Sequence, residues 1–258
     1  MPLIDTYTLI LTLFLLNVVL ALMLVIFWMS QKTHEGFKTW MLSLLALSCG
    51  YFLYISAGSV PAFLSSTTAN LLIVLSFMLK LDSTGRYFRS RALPAVVYLC
   101  LVPAALLLLW FAIFQDSVVI RGMIVGSLLV PCFTAVAVIS IRSTEPETRP
   151  LRYIFAAAFF VSAFLWAVII IRAVITPGDH SLSGPDPVNP IFFIVTILTD
   201  TVATASFLML NMARSQSELK QSEEALSRVN RKLTILASIT RHDIKNQLTA
   251  LQVYLELS

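Results

Sequence analysis

The chain carries little charge for its length. Only 12% of its 258 residues are Asp, Glu, Lys or Arg, and 58% are hydrophobic, whereas a soluble domain has roughly 25% charged residues. This balance excludes an ordinary soluble protein and indicates a membrane protein. The formal net charge of +4 does not point to nucleic acid, because the basic residues are scattered between apolar runs.

Cysteine and glycine are also scarce. Cys49, Cys100 and Cys132 lie within apolar runs and have no closely spaced Cys or His partner. This spacing argues against a zinc site and a disulfide scaffold, so we expect small side chains that face lipid or the core. The eight glycines form no phosphate-binding loop. We therefore expect the chain itself to bind no metal and no cofactor.

Long apolar runs dominate what the sequence does contain. A bilayer core of roughly 30 Å requires about 20 apolar residues in a helix, because irregular backbone cannot satisfy its hydrogen bonds in lipid. Seven runs meet this requirement. They are 7–29, 39–57, 62–81, 92–114, 118–141, 151–175 and 191–212. The sequence predicts an all-α fold in which residues 1–212 form a seven-helix transmembrane domain.

Lysine and arginine are distributed unevenly between the two sides of this predicted bundle. Nine are assigned to the first, third and fifth loops, whereas the other side has only Arg121 and Arg172, near span ends. The nine are Lys32, Lys38, Lys80, Arg86, Arg89, Arg91, Arg142, Arg149 and Arg152. Since short basic loops stay inside, we expect the N-terminus outside and the C-terminus in the cytoplasm of a multi-pass cell-membrane protein.

Three polar residues fall at comparable depth within the predicted spans: Asn17, Asn70 and Asp200. A polar group inside a membrane is costly, so each indicates a site. We expect the three to meet in one interior ligand pocket. The alternative is that Asp200 is a structural acid, either protonated or hydrogen-bonded to Thr199, to Thr201 or to a neighbouring helix.

The sixth and seventh runs are joined by a connection rich in Pro, Gly and Asp. Asp179, His180 and Asp186 could form an external ligand or metal patch there, but the composition favours an exposed turn with solvated acids. The seventh run contains no lysine, which excludes a retinal Schiff base. No pair of broken half-length spans occurs in matching positions, which disfavours a secondary transporter.

The last part of the chain differs in composition. Residues 213–258 contain neither Pro nor Gly and predict one long helix or two stacked helices. Leu219, Leu226 and Leu233 recur every seven residues, and Ser222, Val229 and Leu236 occupy the intermediate positions. This pattern predicts a coiled-coil stalk over 213–236 and hence a homodimer. A surface helix against the membrane or another domain is the alternative.

Within the stretch SITRHDIKNQL, residues 238–248, the apolar spacing changes. Ile244 and Leu248 share one face of the helix, and His242 points to the opposite, water-facing side. His242, Asp243 and Asn246 form the pattern H-D-x-x-N. An adjacent carboxylate can orient an imidazole ring and take up its second proton, which suits a nucleophilic histidine.

This motif resembles the H-box of a sensor histidine kinase, and the preceding residues are similar in pattern to the seven-span sensory module of some members of that family. The resemblance implies a membrane-bound sensor of a two-component system. Residues 237–258 would begin its dimerisation and phosphoacceptor domain. His242 would accept the phosphoryl group, Asp243 would orient it, and Asn246 would help position the water that removes it.

The chain departs from the family because it lacks an ATP-binding domain. We expect that domain, with ATP and Mg, to act in cis or in trans, so that residues 237–258 are a truncated start of the phosphoacceptor domain. The expected partners are a second copy, a response regulator and the lipid bilayer. The leading alternative is a non-enzymatic seven-transmembrane receptor or binding module that recruits a cytoplasmic partner, and a small permease is a third.

Overall fold

The computed structural model describes most of the chain. The described ranges are 5–57, 59–61, 64–89, 91–115, 117–143, 148–175 and 188–256. Within these ranges the structure is helical and contains no β-strand, so the predicted all-α fold is confirmed. The chain divides into two compact units, Met1–Met212 and Ala213–Ser258.

Eight α-helices follow one another along the described chain. They are α1 (Thr6–Ser30), α2 (Phe37–Ile55), α3 (Ala69–Arg89), α4 (Ala95–Tyr98), α5 (Leu101–Ile113), α6 (Val118–Arg142), α7 (Arg149–Ile175) and α8 (Val188–Glu256). A π-helical turn, Leu64–Thr68, leads directly into α3. The external patch considered around Asp179, His180 and Asp186 lies outside the described residues.

The composition of these helices is that of a membrane protein. Six segments of the described chain are long and apolar enough to cross a bilayer: α1, α2, α6, α7, α8 and the segment Ala95–Ile113, which contains α4 and α5. Large apolar side chains on their outer surfaces, such as Ile26, Leu106 and Phe164, are more than 60% exposed. Lipid, and not water, suits a surface of this kind.

Helix α3 differs from the third predicted span. The sequence assigns Lys80 to a loop after this span, whereas α3 continues to Arg89 and buries both Lys80 and Asp82. The loop assignment of Lys80 is wrong, because its ammonium group has a buried partner on α8. The charged residues of α3 also explain why this helix is not one of the six segments whose composition suits a membrane span. Without Lys80, eight of the basic residues assigned to the first, third and fifth loops remain, against two on the other side.

Aromatic contacts hold the first part of α8 against the other helices. Trp40 of α2 stacks on Phe207 of α8 with ring centroids 4.3 Å apart, and it also contacts Phe155 of α7 at 5.6 Å. The hydroxyl of Tyr87 on α3 donates to the carbonyl of Leu210 at 2.8 Å. Helix α8 therefore packs against α2, α3 and α7 at this level of the bundle.

The three cysteines are free. Cys49 is exposed on α2, and Cys100 and Cys132 are partly buried. The thiol of Cys100 donates to the carbonyl of Val97 at 2.8 Å. These positions agree with the expectation of small side chains that face lipid or the core.

Gly36 immediately precedes α2 and lies very close to the backbone of α3. Its φ is +90°, and a Cβ there would lie 2.4 Å from the carbonyl oxygen of Ser83, whose hydroxyl donates to the carbonyl of Gly36 at 2.8 Å. We expect Gly36→Ala to lower the free energy of unfolding by at least about 1 to 3 kcal/mol, the usual cost of a strained backbone.

Gly122→Ala is the matched control for this substitution. A Cβ at Gly122 would meet no atom of the described residues within 4 Å, so we expect it to be neutral or slightly stabilising in its helix. Chemical unfolding of both variants in the same detergent measures the difference. Equal stabilities would contradict the close approach of Gly36 to α3.

Candidate functional site

Helix α8 presents the histidine motif on an exposed surface. The side chain of His242 is 72% exposed and that of Asp243 is 65% exposed. Arg241, which precedes the motif, and Lys245, which lies within it, are exposed as well. The imidazole ring is therefore accessible to a reactant in a single chain.

Two polar groups lie next to the same ring nitrogen of His242. The amide nitrogen of Asn246 is 3.1 Å from Nδ1, and Oδ1 of Asp243 is 3.7 Å from it. Asn246 reaches the ring because residues four apart are neighbours on a helix. The structure thus places the amide nearer to the ring than the carboxylate, which the sequence proposes as the orienting group.

This geometry suits nucleophilic attack through the other nitrogen, Nε2. An imidazole that attacks through Nε2 carries its proton on Nδ1. If the side-chain amide of Asn246 turns by 180°, its oxygen takes the place of its nitrogen and can accept a hydrogen bond from Nδ1–H. Asp243 can do the same after a small side-chain movement, since a hydrogen bond requires about 2.7 to 3.2 Å. Both residues can therefore fix the reactive tautomer.

The second unit also exposes a row of apolar side chains. Each of these side chains is at least 52% exposed. Three follow the histidine, namely Ile244, Leu248 and Leu251. Five belong to the seven-residue repeat, here called the seam: Leu219, Leu226, Val229, Leu233 and Leu236. Exposed apolar surface of this extent is unfavourable in water. A partner surface that covers it would stabilise the unit.

The first unit contains a buried ion pair. The ammonium group of Lys80 on α3 contacts Oδ1 of Asp200 on α8, and their side chains are 0% and 6% exposed. The ammonium lies 4.7 Å from the ring centre of Phe77 and 5.6 Å from that of Trp40. Removing two charges from water is costly, and mutual attraction offsets that cost only in good geometry. The pair joins α3 to α8.

Asp200 does not bind the threonines considered as its partners. The hydroxyl groups of Thr199 and Thr201 donate to carbonyls of their own helix, those of Val195 at 2.9 Å and Ile197 at 2.7 Å. The second carboxylate oxygen of Asp200, Oδ2, is buried and has no hydrogen-bond partner among the residues described. One of the two oxygens of this carboxylate is thus unsatisfied.

A cavity of about 570 Å³ lies in the first unit, and Asp200 is part of its lining. Its volume falls within the range of roughly 300 to 1,000 Å³ that is typical of small-molecule sites. Helices α1, α2, α3, α6, α7 and α8 all contribute to the lining. The aromatic lining residues are Tyr7, Tyr51, Tyr54, Phe77, Phe133, Phe159, Trp166, Phe192 and Phe193.

Of the three polar residues expected in one pocket, the structure brings two to the cavity. Asn70 lines it together with Asp200, and its Oδ1 accepts a hydrogen bond from Tyr54 at 2.5 Å. Asn17 is not among the described lining residues. It is buried further along α1, where its amide donates to the carbonyl of Leu13 at 2.9 Å. Only the first part of α1, up to Ile10, reaches the cavity.

Two arginines that the sequence places at span ends also line the cavity. Arg121 is 7% exposed and donates from Nη1 to the carbonyl of Phe111 at 2.8 Å. Arg172 of α7 is partly buried. Sequence position suggested only side chains that reach the membrane surface. Their place in the lining depends on how the helices pack, which the sequence does not show.

Metal binding finds no support in the described ranges. They contain no group of three or more His, Cys, Asp or Glu side chains arranged to hold an ion. The candidate chemistry therefore lies in His242 with its two neighbours and in the cavity beside Asp200.

Comparison with known proteins identifies no relative. No protein-family profile, curated protein or solved structure matches the chain. The functional assignment therefore depends on the motif and on the geometry described above.

Proposed function

We propose that the chain is the input part of a membrane sensor histidine kinase in a two-component system. The observation that supports this best is the exposed His242, whose Nδ1 lies 3.1 Å from Asn246 and 3.7 Å from Asp243. A solvated surface histidine would also be exposed, so the two polar side chains beside Nδ1 carry the proposal. Here the ring is accessible and its tautomer can be controlled, as a phosphoacceptor requires.

The proposed reaction is transfer of the γ-phosphoryl group of ATP to His242. The lone pair of Nε2 forms a bond to the γ-phosphorus, and the bond between that phosphorus and the bridging oxygen breaks, so that ADP leaves with the electron pair. The proton on Nδ1 is held by Asp243 or Asn246. A separate ATP-binding domain, in cis or in trans, supplies ATP, and Mg²⁺ neutralises phosphate charge.

The phosphoryl group would then pass to an aspartate of a response regulator. Arg241 and Lys245 flank the acceptor and can offset the added negative charge. In the reverse direction Asn246 would position the water that hydrolyses the phosphohistidine. The amide is close enough to the ring for this role, since it already lies at hydrogen-bond distance from Nδ1.

In the proposed topology the first unit lies in the membrane with the N-terminus outside and the histidine motif in the cytoplasm. Eight basic residues in the first, third and fifth connections or in the helix ends beside them, against two on the other side, support this orientation. Helix α3 would be the third of seven spans, because the charged side chains before its last turn, Lys80 and Asp82, are buried in the unit. Lys80 is neutralised by Asp200, which makes such a span tolerable in lipid.

The exposed seam of α8 supports a homodimer through the stalk. Leu226 and Leu233 are 71% and 59% exposed in one chain, and a coiled coil would bury them. We expect Leu226→Glu combined with Leu233→Glu to prevent pairing, because each buried leucine contributes roughly 2 to 5 kcal/mol. A disulfide formed through Ser222→Cys, at a seam position, reports pairing in membranes.

The matched control changes positions beside the seam. Ser227→Glu combined with Thr234→Glu adds the same charge one residue after each leucine, so the cross-link through Cys at position 222 should persist. The chain without Ser222→Cys gives the background from the native cysteines. A cross-link that survives both leucine substitutions would show that residues 219–236 do not form the dimer contact.

A non-enzymatic receptor is the second candidate, and the cavity favours it. A receptor needs a ligand site and a tail that recruits a partner, whereas it does not need a reactive histidine. Fusing the chain to the second dimerisation helix and the ATP-binding domain of a histidine kinase distinguishes the two functions. Acid-labile phosphate on His242 supports the kinase, and its absence in an otherwise active fusion supports the receptor.

A further inference from the structure

We propose that the cavity beside Asp200 binds a small, ring-bearing apolar molecule whose hydroxyl group donates a hydrogen bond to Oδ2 of Asp200. As a ligand site of the proposed sensor this inference rests on the proposed function. The binding itself can be measured without any kinase activity, so the two can fail separately.

The unsatisfied carboxylate oxygen is the first argument. Oδ2 of Asp200 is buried in a side chain that lines the cavity, and no group in the described part of the chain donates to it. A buried acceptor without a partner is unfavourable, and more so when it is charged. A bound donor at this position would restore the missing hydrogen bond.

The charges around the cavity specify a neutral donor. Lys80 already neutralises Asp200, so an ammonium group on the ligand would leave excess positive charge in a medium of low dielectric constant. In the lining, Arg121 and Arg172 add two positive charges and Asp5 adds one negative charge, so the balance stays positive. A carboxylate on the ligand has no hydrogen to donate to Oδ2. A hydroxyl group is the donor that avoids both problems.

The aromatic walls specify the body of the ligand. The cavity lining includes Phe77, Phe133, Phe159 and Phe193, whose rings offer faces and edges to a ligand. Aromatic pairs prefer offset or edge-to-face packing, which a flat ring can adopt. Sites of this type are mostly apolar with few polar groups that fix orientation. The hydroxyl group would set the orientation and the ring would supply most of the buried area.

The cavity is also accessible. Its lining includes Asp5 and Tyr7, which are exposed at the start of α1, as well as the buried Asp200. Val118 and Val188, at the starts of α6 and α8, belong to the same end. A ligand can therefore enter at the end of the unit where these three helices begin.

The test uses two photoreactive probes that differ in a single donor. Para-hydroxymethyl benzophenone carries the hydroxyl group, and its methyl ether has the same rings without the donor. The full chain in lipid nanodiscs is irradiated with each probe, and mass spectrometry locates the labelled residues. We expect labels on cavity residues, with half-maximal labelling at a concentration about tenfold or more lower for the alcohol.

The control replaces both ions of the pair. Lys80→Met with Asp200→Leu removes the acceptor and leaves no buried charge, so we expect the alcohol to lose its advantage while labelling by the ether stays unchanged. Unchanged ether labelling shows that the cavity is intact. Equal labelling of the wild-type chain by both probes would overturn the proposal, as would an alcohol preference that survives in the double variant or labels located outside the cavity.

Discussion

Lys80→Met alone is expected to destabilise the first unit by about 3 to 5 kcal/mol. The substitution preserves most of the side-chain volume but leaves Asp200 buried without its only ionic partner in the described structure. Breaking one side of a buried pair is costly because the remaining charge has lost water and gained nothing in exchange. Unfolding in detergent at a fixed detergent concentration measures the loss.

The double variant Lys80→Met with Asp200→Leu is the control that separates charge from packing. Since it removes both ions, we expect it to recover most of the stability that the single variant loses. A single variant as stable as the wild-type chain would show that the ion pair does not join α3 to α8. A double variant as unstable as the single one would assign the loss to packing around Phe77 and Trp40.

His242→Gln is expected to abolish phosphorylation completely. Glutamine has no nucleophilic nitrogen lone pair, whereas a neutral imidazole has one on Nε2 when the proton is on Nδ1. The full chain is fused after Ser258 to the second hairpin helix and ATP-binding domain of a histidine kinase and is incubated with labelled ATP. Phosphate that is labile in acid and stable in base identifies phosphohistidine. Undiminished labelling of His242→Gln would assign the modification to another residue.

The neighbours of His242 should have separate effects in the same assay. Asp243→Asn should slow phosphorylation by roughly 10² to 10⁴, the range for losing one general base. Asn246→Ala should leave phosphorylation nearly intact and slow the loss of phosphate. Because Asn246 lies nearer to Nδ1 than Asp243 does, a larger defect in Asn246→Ala would exchange the two roles.

Helix positions could be predicted where local composition decides them. The run predicted over 118–141 is observed as α6, Val118–Arg142. Its start is fixed by Ser117, whose hydroxyl accepts a hydrogen bond from the amide of Ile120 at 3.3 Å. A charged residue ends it, as expected for a helix that leaves the apolar region. Such signals lie within a few residues of the boundary, so the sequence contains them.

The interior of the first unit could be predicted only in part. Asp200 is conspicuous because an acid is rare in an apolar run, and the structure does place it in a cavity lining. Its partner could not be predicted, since Lys80 lies 120 residues away along the chain. From composition alone, a lysine near the end of a predicted span is assigned to the adjoining loop, as Lys80 is. Only helix packing shows that the side chain points inward.

The histidine motif is the opposite case, because its geometry is local. Spacing along one helix predicts that His242 and Asn246 lie on the same side, and the structure has them in contact. The same spacing predicts the exposed apolar seam, which the structure shows on a single chain. Neither observation tests whether a second copy, an ATP-binding domain or a response regulator binds the chain, so those partners stay predictions.

An effect of the buried ion pair beside the cavity on His242 would show most directly that the first unit acts on the histidine. The fusion described above is placed in nanodiscs, and the rate of phosphorylation at His242 is compared between the wild-type chain and Lys80→Met with Asp200→Leu. Coupled sites differ in affinity or activity by about fivefold or more, so we predict a change of at least that size. Equal rates in two well-folded proteins would contradict the proposal that the first unit controls phosphorylation of His242.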